Sequence, residues 1–421
     1  MVQKIPISRL RTNDEGGKSM QKIKSFWGAV LIAAAASVFA GSIVNPERPV
    51  GPMQEAVQKI LDDAVASGAQ TAAQVCVYID GKLVVDAWAG TYERRGKKKI
   101  DGDSLFPIFS TEKPVFVTAA HILHEQGKLD YDKRVCDYWS EFGCNGKEKM
   151  TMRHLLSHRT SLPIGSFSRT LSREKIADWD YMVKVVASQP VDKKYPPGTR
   201  SKYLPQVYGW ALGEPLCRIT GMKINELLRK LVLIPAGIEK DFYFSADDKA
   251  MPRIVTVYLT PQSDGKSGKS MESMNTELMR RACVPASYAV ASARGIAKFY
   301  LSLTGQNGKK PLIRKETLDH ATELSWWDKE PLTEDELTGK KFRMIFGLGY
   351  ALWGSKGQPL GEIFGQGGLG GSEGYMDRKK NIIVSFTCST KNYTLIDQIF
   401  RAVGFSTRHH KISKDNEKKS N

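Results

Sequence analysis

Strand-like segments stand at both ends of this chain and helical patterns fill its middle, so the two ends have to meet in one sheet. Residues 73–79 and 82–88 are apolar, β-branched runs around Asp80-Gly81, a pair suited to the two-residue type I′ hairpin turn. A lone hairpin is marginal in water. The runs at 345–353 and 382–387 are the strands available to complete it, and 395–403 reads as a closing helix. An amphipathic helix at 53–67 precedes the hairpin, and 111–240 is mostly helical periodicity broken by polar loops. The expected class is α/β: a discontinuous layer of strands and helices enclosing an all-helical insert. The polar, Ser/Gly/Lys-rich stretch at 241–285 reads as a surface insertion, and no internal repeat is present.

With 421 residues and 41% hydrophobic content the chain can bury a full core. Its net charge of +17 suggests a nucleic-acid partner until it is mapped: residues 1–50 and 401–421 supply +8 of it, and the rest is spread thinly. The one local run, Arg94-Arg95-Gly96-Lys97-Lys98-Lys99, reads as a solvated loop, and no nucleic-acid partner is expected. Residues 28–44 are uncharged and follow Lys22 and Lys24. From Met20 to Ala40 this makes a secretory signal with a cleavage site; from Met1 it makes a signal anchor. Both readings place the bulk of the chain across a membrane, in the secretory pathway or the mitochondrial intermembrane space, with possible membrane association through 28–44. Six cysteines fit no zinc pattern; Cys136 and Cys144 are the nearest candidate pair, and free thiols are the simpler expectation.

Ser110-Thr111-Glu112-Lys113 carries the chemistry. Three residues apart on a helix, a serine and a lysine share a face, and the amine can take the hydroxyl proton. The same spacing occurs at Ser19, Ser172 and Ser263, so context selects. Only Ser110 follows a strand-like run and opens a helix, with Pro114 in the first turn and Gly127 as the stop. Helix N-terminal N–H groups there would favour a developing oxyanion.

Competing motifs are weaker. Gly370-Gly371-Ser372-Glu373-Gly374 matches a nucleophile elbow, with Asp377, Asp397, His409 and His410 following, but a strand rather than a helix comes after it. Gly365-Gln366-Gly367-Gly368-Leu369-Gly370 spells a dinucleotide fingerprint without its helix. His121/His124 and His154/His158 are spaced like metal ligands but lack the accompanying glutamate and a third ligand, so they are expected to buttress loops. Neither metal nor cofactor is expected.

Taken in order, these segments resemble the serine β-lactamase-like family of class C β-lactamases, penicillin-binding DD-peptidases and related esterases. Ser110–Lys113 is similar to its Ser-x-x-Lys motif, and the stretch from Thr151 to Pro163 to its helix-to-loop signature. Pro196-Pro197-Gly198-Thr199-Arg200 leading to Tyr203, then Tyr208-Gly209-Trp210, resembles its Tyr motif region. The helix at 291–299 and Gly365-Gln366-Gly367-Gly368 complete the likeness, which runs from about Val57 to Phe405. Two departures point toward the esterase branch: Tyr203-Leu204-Pro205 lacks the asparagine of Tyr-x-Asn, and Gln366 stands where lactamases carry lysine and many relatives histidine.

The resemblance implies a serine β-lactamase/DD-peptidase-like α/β fold over 53–408, an antiparallel sheet flanked by helices plus an all-helical subdomain, after a targeting segment and linker at 1–52 and before a basic tail at 409–421. It implies Ser110 as nucleophile and Lys113 and Tyr203 as the pair that moves its proton. Gln366, Gly367, Gly368 and Leu369 would line the substrate site, the N–H groups of Ser110 and Leu369 forming the oxyanion hole. The implied activity is hydrolysis of a small or lipid-like carboxylic ester through an acyl-enzyme. The alternatives are a β-lactamase or peptidase-type amide hydrolase and a catalytically silent binding relative. The expected partner is a small-molecule ester or amide, and the oligomeric state is not legible.

Overall fold

A computed structural model describes residues 48–163, 167–258, 271, 273–324, 333–334, 341–342, 345–353 and 361–405. The segment 28–44, most of the polar stretch around 260–270, and the tail with His409 and His410 lie outside the described residues.

The two ends of the chain do form one sheet. β1 (Ala72–Ile79) and β2 (Lys82–Gly90) make the hairpin, with Asp80 and Gly81 both at positive φ (51° and 74°), as a type I′ turn requires. β3 (Phe106–Pro107), β4 (Phe242–Tyr243) and β5 (Val290–Ala291) form a small separate sheet in the order β3-β5-β4. Two short strands, β6 (Thr333–Glu334) and β7 (Lys341–Phe342), pair with each other. β8 (Ala351–Trp353), β9 (Ile363–Gly367), β10 (Glu373–Asp377) and β11 (Ile382–Cys388) complete the main sheet, in the order β2-β1-β11-β10-β9-β8. Its pairs are all antiparallel, and the join between chain ends is β1 on β11, from Ala73↔Cys388 to Ile79↔Ile382.

Strand alternation then dictates what covers each face. Ala73, Val75 and Val77 of β1 pack with the helices α1 (Pro52–Ala66) and α6 (Tyr393–Ala402), which bring Val57, Leu61, Leu395, Ile396, Ile399 and Phe400. Each such side chain contributes roughly 1.5–3 kcal/mol when buried. Cys76 points to the other face, where α5 (Ala293–Thr304) lies with Ile296, Phe299 and Tyr300. Arg294 on α5 is locked to β2 by a buried ion pair with Asp86 (Nη2–Oδ2 2.6 Å). Buried Gln74 is satisfied at both ends, giving to Asp101 O and Ser104 O and accepting from the Ala293 amide.

The middle of the chain supplies α2 (Lys113–Glu125), α3 (Met152–Leu156) and α4 (Val207–Thr220), which share a continuous core through Phe116, Leu155, Tyr208 and Trp210. Two sequence expectations need amendment. Only Ala351–Trp353 of the 345–353 run is strand, because Gly347 and Gly349 turn the chain ahead of it. The described parts of 241–285 are not a surface addition: Phe242, Phe244, Val255, Val257 and Met279 are buried, and β4 completes the small sheet. Polar residues mask this at sequence level, since the buried ones are separated by turns rather than by a regular period. The six cysteines are free, Cys136 and Cys144 included.

Candidate active site

Ser110 lies in a 3-10 turn, Phe109–Glu112, that follows β3 and leads into α2. It therefore sits one turn ahead of the α-helix rather than at its first residue. Pro114 is the reason: in an α-helix its ring would clash with the carbonyl four residues back, that of Ser110. The Lys113 amide bonds to that carbonyl in the tighter pattern instead. Phe109, just before the serine, holds φ at +50°, a costly conformation for an aromatic residue.

The turn places three predicted residues together. Lys113 Nζ lies 3.1 Å from Ser110 Oγ, and the Tyr203 hydroxyl donates to Ser110 Oγ at 2.8 Å. Lys113 is fully buried. Its ammonium also gives to the carbonyls of Pro205 (3.3 Å) and Ala286, so the stem is held by backbone from two other segments. Where a Tyr-x-Asn asparagine would stand, Pro205 offers only this carbonyl. Gly209 in α4 makes the arrangement possible, because a Cβ there would overlap the Pro285 carbonyl oxygen.

The glycine-rich segment approaches from the other side. A Cβ at Gly368 would overlap Ile108 O, and one at Gly370 would strike the Phe109 ring, so the end of β9 runs directly against the turn that carries Ser110. Thr111 Oγ1 ties the two together by donating to Ser372 O at 2.8 Å. The neighbouring amides are occupied, Thr111 N–H by Ile108 O and Gly368 N–H by Ser372 O. The N–H groups of Ser110 and Leu369 meet no backbone acceptor among the described residues. Gln366 pairs with Gly374 across β9 and β10 and so shares the face that meets Thr111. It is buried, with Oε1 lacking a partner among the described residues. Gly367 lies on the opposite face, against Glu373, and Leu369 is exposed.

The competing motifs find other uses. Ser372 is buried in a turn before β10, with no helix after it. His121 bridges the Tyr131 hydroxyl (2.8 Å) and Leu348 O (3.0 Å), and His154 closes a capping box with Thr151 at the start of α3. Among the described residues no three potential metal ligands gather.

Sequence reasoning passed over two features here. Glu112, inside the motif itself, is fully buried and neither carboxyl oxygen has a close hydrogen-bond partner among the described residues. Burial pushes it up to about 8, although the Lys113 charge and the nearby Ala286 amide pull the other way. Phe346 stacks parallel to Tyr203 at 5.8 Å between ring centroids. Nothing in the spacing signals either, and the Pro205 and Ala286 carbonyls are invisible to any side-chain motif.

Comparison with known proteins gives a consistent picture. The β-lactamase family model matches residues 57–398. The esterase/β-lactamase LipL of Mycobacterium tuberculosis is 26% identical over 339 residues, 73% of this chain and 74% of LipL. A family VIII carboxylesterase superimposes with a TM-score of 0.70 at 25% identity, over 84% of this chain and 98% of that one. A penicillin-binding protein homologue from Caulobacter crescentus does so at 0.68 and 22% identity, covering 85% and 98%.

Proposed function

The chain belongs to the β-lactamase family and is a hydrolase of that fold, and from this premise we propose that it is an esterase whose nucleophile is Ser110. The observation that carries the proposal is the convergence of Lys113 Nζ and the Tyr203 hydroxyl on one serine oxygen. In the reacting form the Lys113–Tyr203 pair accepts the Ser110 proton as Oγ bonds to the ester carbonyl carbon. The N–H groups of Ser110 and Leu369 receive the carbonyl oxygen as it gains charge. Collapse breaks the bond to the alcohol oxygen, which takes the proton back from the pair. Water repeats the sequence on the acyl-serine and releases the acid.

The substrate class follows from what the site lacks. Gln366 presents a neutral amide where a lysine would give a charge-assisted bond to a substrate carboxylate, and no asparagine amide follows Tyr203. Neutral esters of small or lipid-like acids are favoured over penicillins. The carboxylesterase neighbour, at 25% identity, supports the ester reading. For location, residues 28–44 favour placement of the catalytic body across a membrane; protease protection in intact organelles tests that.

The decisive experiment treats the protein with a fluorophosphonate probe and measures kcat/KM for p-nitrophenyl butyrate and for a penicillin. Labelling at Ser110, ester turnover and poor lactam turnover are expected, with Gln366→Lys raising reactivity toward carboxylate-bearing substrates. Efficient penicillin hydrolysis without ester turnover would favour the amide-hydrolase alternative.

A further inference from the structure

Tyr203 must keep its hydroxyl on Ser110, yet it rides on a loop between helices rather than on a regular element. His158 holds that loop at two points. Its carbonyl accepts the Lys202 N–H at 2.8 Å, and its ring Nδ1 accepts the Leu204 N–H at 3.3 Å. The two bonds bracket Tyr203, one residue to either side. The ring itself lies 5.1 Å from the Tyr203 ring, stacks on Tyr208 at 4.2 Å, and packs at 4.4 Å on the same Phe346 that lies parallel to Tyr203.

Local backbone and protonation both suit this task. His158 has φ of +58°, in the left-handed region where histidine and asparagine are enriched. Because Nδ1 accepts, the ring proton resides on Nε2, which is buried without a hydrogen-bond partner among the described residues. The titratable groups facing the ring are Lys113 from α2, Tyr203 from its loop and Tyr208 from α4. Burial first, and then the Lys113 charge, hold His158 well below the ordinary histidine range, so its acceptor stays available.

We propose that His158 is a positioning residue for Tyr203: through Nδ1 and its carbonyl it fixes the backbone on both sides of the tyrosine and so sets the Tyr203–Ser110 hydrogen bond. The inference rests on the reading of Ser110, Lys113 and Tyr203 as the reacting set. It assigns His158 no contact with substrate.

Two substitutions separate the acceptor from the ring. His158→Phe keeps an aromatic ring and loses Nδ1; His158→Asn loses the ring but puts an acceptor oxygen near the same place and tolerates the positive φ. With p-nitrophenyl butyrate, His158→Phe should lower kcat by about 10- to 100-fold with little change in KM, as expected for a small misplacement of a reacting group. His158→Asn should recover most of that loss. In a Tyr203→Phe background, His158→Phe should cost less than about twofold, since a residue acting through Tyr203 has nothing further to remove. Equal losses in the Phe and Asn variants, or a loss that multiplies undiminished with Tyr203→Phe, would overturn the proposal. Crystal structures supply a readout independent of turnover: in His158→Phe the Tyr203 hydroxyl should lie beyond about 3.5 Å from Ser110 Oγ, and a distance unchanged from wild type refutes the assignment. Wild-type protein without ester turnover would count against the esterase reading alone, the crystal comparison still deciding on His158.

Discussion

At the scale of single residues, Pro114 shapes how the nucleophile is presented. By forbidding an α-helical carbonyl contact with Ser110 it leaves the serine in a tighter turn, from which Oγ meets both Lys113 and Tyr203. Because those three groups share one proton, their losses should not add. Ser110→Ala should abolish turnover, Lys113→Ala should cost on the order of 10³-fold and Tyr203→Phe a similar factor, and Lys113→Ala/Tyr203→Phe should be little worse than either single change. Steady-state kinetics on the four variants checks this. Glu112 gives a second test at this scale. Its carboxyl is raised from an ordinary value of 4.5 to about 8, mainly by burial. The folded chain therefore keeps a proton that the unfolded chain releases, and stability falls as pH rises through that window. Glu112→Gln removes the effect. Denaturant titrations should show the variant gaining on wild type as pH rises from about 4.5 to 8 and no further above it; a difference independent of pH would mean the carboxyl titrates normally.

At the scale of elements, the site is a matter of close approach. α4 comes against Pro285-Ala286 only because residue 209 has no side chain, and Ala286 is where Lys113 anchors. Gly209→Ala should push these segments apart and act twice. We expect a loss of roughly 1–3 kcal/mol from overpacking, read as a lower denaturation midpoint, together with a fall in kcat larger than the remaining folded fraction explains. The second approach, of β9 against the 3-10 turn, is made by Gly368 and Gly370. A glycine-rich run read without its neighbours matches an elbow or a dinucleotide loop equally well. Only the strand that follows it, legible as the apolar run at 382–387, argued for a backbone approach instead.

At the scale of the whole molecule, buried titratable groups set the pH of greatest stability. Burial lowers His121 to about 3, and His158 also lies well below the usual value of 6.5. Both are neutral in the folded chain where the unfolded chain would be protonated, so each adds stability above pH 6.5 that is lost as pH falls below it. Glu112 acts in the opposite sense between 4.5 and about 8. Below 6.5 these histidines, with His154 lowered in the same sense by burial, outweigh one carboxyl; from 6.5 to about 8 the carboxyl opposes stability, and the buried cysteine thiols, raised from 9, add to the decline only above that. Stability should therefore peak close to pH 6.5, with the decline between 6.5 and about 8 missing in Glu112→Gln. Thermal midpoints measured across the range decide it, and a peak well into the alkaline region would contradict this balance.

The sequence by itself determined the layer architecture and the chemistry-bearing residue types. The type I′ pair Asp80-Gly81, the apolar alternation of β1, and the helical periods of α1, α2 and α6 are local patterns, and local physics writes them into neighbouring residues. Ser110, Lys113 and Tyr203 were legible because their order along the chain resembles a family pattern. What only the tertiary structure decided involves groups that no side-chain pattern encodes: the Pro205 and Ala286 carbonyls on Lys113, the complete burial of Glu112, the packing of the described parts of 241–285 into the core, and the hold of His158 on the two amides flanking Tyr203. Each depends on backbone atoms or on segments far apart in sequence, and a backbone carbonyl is the same atom in every residue until folding brings a particular one within reach of a particular amine.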